Sequence, residues 1–158
     1  MHSGRKRVIA FLVLASPLLW ADGSGNSWNK IRYSGGTVAA KVNPYDWNTT
    51  LTVTPDTIRL VFGGRTTLDL SPSQVTGLSY GEEAHRRVAD MVALSVVFVN
   101  PLVLFGILHT SRDHFIGIEF HDAGGKSGAL LLEADKNNYR AILRALAAVT
   151  GKPAPSLP

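Results

Sequence analysis

Residues 91–108, MVALSVVFVNPLVLFGIL, form 18 consecutive positions without a charged side chain. A run of that length and polarity meets the threshold for a membrane-spanning helix. Its surroundings constrain it further. Strand-like segments precede and follow it, and a single span would put two parts of one sheet on opposite sides of a bilayer. The chain has to come back. Asn100-Pro101 stands mid-run and supplies a turn, because proline lacks an N–H and pushes the residue before it out of the α region. Each half, if helical, is about 10–14 Å long, well short of the roughly 30 Å of hydrocarbon in a bilayer. The expectation is an apolar helical hairpin, inserted at 88–110, that enters one leaflet or docks on a membrane protein. Its contact residues are Met91, Val92, Leu94, Val97, Phe98, Val99, Leu102, Val103, Leu104, Phe105, Ile107 and Leu108. Arg86 and Arg87 before the run and Arg112 after it suit two ends lying at one anionic surface. Two other readings stay open at this level: a segment buried as ordinary core, and a true span.

The chain is basic, with 16 Lys and Arg against 12 Asp and Glu. Three of those cations, Arg5, Lys6 and Arg7, directly precede the apolar run 8–20, VIAFLVLASPLLW. A positive region followed by a short apolar region reads as a secretory signal peptide, here residues 1–21. A cut after Ala21 puts Leu19 at the position where a small residue is preferred, so a later cut near Gly23 or Gly25 stays open. Removal of 1–21 leaves 13 cations against 12 acids, scattered singly, which argues against a nucleic-acid partner. Export implies a periplasmic or extracellular location, and the apolar run at 91–108 implies association with the membrane. The absence of cysteine excludes disulfides, thiol nucleophiles and zinc–cysteine sites.

Residues 22–33 read as a flexible linker, since 22–29 (DGSGNSWN) have no periodicity. From there the pattern is one of short strands and turns: 36–42, 50–54, 57–62, 66–70, 74–80, 114–121 and 128–133. Pro55-Asp56, Gly63-Gly64 and the stretch 122–126 (DAGGK) supply hairpin turns. In 114–121, Ile116, Ile118 and Phe120 share one face, and Phe115, Gly117 and Glu119 the other. Near the C-terminus, Tyr139, Ile142, Leu143, Leu146 and Val149 make one apolar stripe of a helix that Gly151 and Pro153 end. Residues 152–158 read as a disordered tail.

Six or seven antiparallel strands closed by one amphipathic helix, NNYRAILRALAAVTG, resemble the pleckstrin-homology-like superfold, including its bacterial and GRAM-like members, over about Gly35 to Gly151. The resemblance implies a mainly β domain at 34–151, a small antiparallel barrel or sandwich of six or seven strands capped by one helix. It also implies binding of lipid headgroups, peptides or proteins without catalysis. The basic first hairpin of phosphoinositide-binding members is missing, since 49–57 carries no Lys or Arg.

Sites for chemistry are sparse. His85, His109, His114 and His121 lack the spacing of a metal site, and no Gly-x-Ser-x-Gly elbow or phosphate loop occurs. Glu82–Arg86 and Glu83–Arg87 are spaced as surface pairs on a helix. No catalytic residue, cofactor or metal is expected. The leading expectation is an exported, non-enzymatic binding or scaffold module attached to membrane lipid or a membrane protein. The alternatives are a soluble cell-envelope protein for an apolar ligand or peptide, and an unrecognised hydrolase.

Overall fold

A computed structural model of the chain describes residues 25–94 and 113–157. Seven strands form one antiparallel sheet: β1 (Asn26–Gly36), β2 (Thr49–Val53), β3 (Ile58–Phe62), β4 (Thr66–Leu70), β5 (Val75–Tyr80), β6 (His114–His121) and β7 (Ser127–Ala134). Their order is β4-β3-β2-β1-β7-β6-β5, and it is not closed into a barrel, because β4 and β5 are both edge strands. The α-helices among the described residues are α1 (Glu82–Leu94) and α2 (Tyr139–Thr150).

Local chemistry sets the turns. Thr54 closes the β2–β3 turn, its Oγ1 accepting from the Thr57 N–H at 2.9 Å and donating to the Thr57 carbonyl at 3.0 Å. Gly63 and Gly64, at φ 55° and 68°, take the left-handed backbone that the β3–β4 turn needs. In the β6–β7 hairpin, Asp122 Oδ1 accepts from the N–H groups of Gly124 and Lys126, each at 2.9 Å. Gly151 ends α2 in the left-handed conformation, its N–H bonded to the Ala147 carbonyl at 3.0 Å.

The larger core lies on the face that α2 covers. There Ile142, Leu143 and Leu146 meet Leu51, Leu60, Ile116, Ile118, Leu130 and Leu132. Each such side chain contributes on the order of 1.5–3 kcal/mol through burial. The other face of β5–β7 carries α1, whose Ala84, Val88 and Val92 pack on Phe115, Ala129 and Leu131. Gly117 makes this close approach possible, since a Cβ there would sit 3.2 Å from the Ala84 Cα.

Four expectations need correction. The sheet stays open where a barrel was expected. The linker expected at 22–33 is in large part β1, the central strand, held by β2 on one side and β7 on the other, with irregular register after Trp28 and after Tyr33. Ile31 and Tyr33 anchor it in the core, an outcome that its Gly/Ser/Asn-rich start concealed. The strand expected at 36–42 is a loop after Gly36, where the Ala40 and Val42 N–H groups bond to the carbonyls two residues back. Among the described residues there are two α-helices. Residues 88–94, expected within an apolar insertion, complete α1, and the rest of the stretch expected to form it lies outside the described residues, as does the leader expected at 1–21. Residues 151–157 follow α2 without regular secondary structure.

Candidate functional site

The site expected from the sequence begins on the last turn of α1. Val92 is 6% exposed and Met91 is half-buried, and both pack in the α1 cluster. Leu94 is 84% exposed. Val97, Phe98, Val99, Leu102, Val103, Leu104, Phe105, Ile107, Leu108 and Arg112 lie outside the described residues. Of the flanking cations, Arg86 is exposed. Arg87 is tied down, 2.7 Å from Glu83 on its own helix and 3.2 Å from Glu119 on β6. Hydrogen bonding to Glu119, then to Glu83, holds the Arg87 guanidinium more firmly in its charged form.

Beside α1 the structure assembles a row of side chains from five separate stretches of chain. His85 on α1 meets the edge of the Phe115 ring, centroids 6.3 Å apart. Phe115 is the cross-strand partner of Glu133, and Glu133 that of Arg32. Arg32 Nε donates to Glu133 Oε2 at 2.9 Å, and the guanidinium lies 5.0 Å from the centre of the Trp47 ring. Glu133 is only 4% exposed, so its charge is balanced almost wholly by Arg32. Two buried polar atoms under α1, Ser79 Oγ and His85 Nε2, have no hydrogen-bond partner.

A second cluster forms where β5, β6 and α2 converge. The Tyr80 hydroxyl and His114 Nδ1 are 2.7 Å apart, and the Tyr139 ring lies parallel over His114 with centroids at 3.9 Å. Arg140 Nε donates to the Tyr139 hydroxyl at 2.8 Å. Burial, then the neighbouring Tyr139, raises the Tyr80 hydroxyl above the ordinary tyrosine range. The rings seat the first turn of α2 on the sheet. No sequence motif groups Arg32, Trp47 and Glu133, or links His114 to Tyr80 and Tyr139. These groups come together only through strand pairing, which leaves no local signal.

Among the described residues no three His, Asp or Glu side chains are placed to share a metal ion, and no helix is long and apolar enough to cross a membrane. A cleft of about 200 Å³ lies between the loop after β1, β4 and the β6–β7 hairpin, lined by Thr37, Val38, Leu68, Phe120, Lys126 and Gly128.

No known protein-family model matches the chain, and no curated protein matches it. A solved structure titled "Structure of the Spt16D Pob3N heterodimer" is similar over 82% of this chain at 9% identity, with a TM-score of 0.45. This chain spans about half the length of that one, 51%. The strand order and terminal helix define a mainly β domain built on one open antiparallel sheet.

Proposed function

We propose that this chain is an exported, non-enzymatic binding or scaffold module that attaches to a membrane, or to a membrane protein, through the apolar run starting in the last turn of α1. The observation that carries the reading is Leu94: a large apolar side chain, 84% exposed, at the point from which the sequence continues without a charge to residue 108. The first part of α1 is fixed by its buried face and by Arg87, so the apolar run departs from a rigid element. The leader at 1–21 supports the exported location.

The test is co-sedimentation of the chain from Asp22 with phosphatidylethanolamine–phosphatidylglycerol vesicles, beside a Phe98→Glu/Phe105→Glu variant. Pelleting of the parent and loss of pelleting in the variant is the expected result. A parent that stays in the supernatant overturns lipid attachment.

A second reading, binding of an apolar ligand or peptide, has the cleft between β4 and the β6–β7 hairpin in its favour. Its volume of about 200 Å³ falls below the roughly 300–1,000 Å³ of ordinary ligand sites, which makes this the weaker reading.

A further inference from the structure

Large apolar side chains exposed to solvent among the described residues are Tyr45 (70%), Trp47 (44%), Leu94 and Leu157. The first three are not scattered. Residues 129, 131 and 133 of β7 alternate onto one face, and Ala129 and Leu131 pack against α1 there. Glu133 is on that face, Arg32 pairs with it, and Trp47 lies over Arg32. Trp47 is therefore on the α1 side of the sheet, where the chain also reaches Leu94. The opposite side is occupied by α2 and the main core.

We infer that the α1 side of the sheet faces the headgroup region of a lipid bilayer, with Tyr45 and Trp47 as an interfacial contact additional to the apolar run. This rests on the membrane reading above. Tyrosine and tryptophan have an apolar body and one polar handle, the chemistry that settles at the boundary between headgroups and acyl chains. The loop presenting them is braced from within. Asn43 Oδ1 accepts from the Tyr45 N–H at 3.1 Å, and Asn43 Nδ2 donates to Asp46 Oδ1 at 3.2 Å. Of the charges on this side, Arg32 is matched by Glu133, and Arg87 by Glu83 and Glu119. The uncharged run 91–108 begins on this same side, in the last turn of α1, and its apolar chemistry favours a bilayer over a soluble partner as the occupant.

The experiment uses the full chain with Trp20→Phe and Trp28→Phe, leaving Trp47 as its one tryptophan, and phosphatidylethanolamine–phosphatidylglycerol vesicles with and without brominated acyl chains. The expected result is a blue shift of Trp47 emission on adding vesicles, with roughly half or more of it lost to the brominated lipid. Adding Tyr45→Ser should weaken that quenching severalfold. Pelleting with vesicles while Trp47 stays open to aqueous iodide overturns the inference and leaves the apolar run as the attachment. Quenching that persists in the Phe98→Glu/Phe105→Glu background supports the aromatic contact and removes the run from the account. An emission shift that follows protein concentration without vesicles assigns the face to a second copy of the chain and overturns the inference.

Discussion

Arg32 and Glu133, 101 positions apart in sequence, form an ion pair between the two central strands of the sheet. Neither belongs to the apolar core. The carboxylate is nearly dry, the guanidinium is part-buried, and Trp47 covers the pair from the solvent side.

Removing one partner of this pair should cost more than removing both. Glu133→Ala strands the Arg32 charge and is expected to destabilise the protein by about 3 kcal/mol, while Arg32→Met with Glu133→Leu should come within roughly 1 kcal/mol of the parent. Urea denaturation of the three proteins reads this directly. Equal losses in both variants would mean that packing, and not charge, sets the cost.

Neighbouring residues of α1 should behave in opposite ways. Leu94→Ser removes an exposed side chain and should shift stability by less than about 0.5 kcal/mol. Val92→Ala cuts into the α1 core and should cost about 1–3 kcal/mol. Thermal melts of both variants give the comparison.

Gly117 is the contact point between β6 and α1. Gly117→Ala pushes a methyl against the backbone of Ala84 and the Ser79 hydroxyl, and should cost about 1–3 kcal/mol. Hydrogen exchange should then accelerate in α1 before it does in α2. Uniform acceleration would show that the two faces of the sheet unfold as one unit.

Alkaline pH should weaken the fold. Burial pushes the Tyr33 hydroxyl far above its usual range, and Tyr80 is raised as well. A group whose folded pKa lies above its unfolded one stabilises the protein below the unfolded value, about 10 for tyrosine, and loses that contribution as pH rises further. Melting temperature should therefore hold up to about pH 10 and fall above it. Tyr33→Phe should flatten that fall. A profile with the same alkaline slope in Tyr33→Phe would assign the loss to Tyr80 or to the other tyrosines.

The hairpins were legible in the sequence because each is local. Alternation placed β6 and its two faces, Pro55-Asp56 and Gly63-Gly64 marked turns, and the stripe from Tyr139 to Leu146 located α2 and its buried side. The central strand was not legible. β1 is stabilised by partners from opposite ends of the sequence, and its Gly- and Ser-containing stretch has the composition of a linker. The α1 face was half legible. Uncharged positions from Met91 onward flagged the segment, but only packing separates Val92, turned inward, from Leu94, turned outward. Trp47 needed the whole of the β1–β7 pairing before it had a neighbour to lie over.

Because β1 leads the described fold and joins β2 to β7, the sheet remains in two pieces until the last strand has emerged. Closing that seam requires a loop of about a hundred residues, an entropic cost that favours late and slow completion. Until then β1–β4 and β5–β6 are separate units, and only the last strand turns them into one sheet.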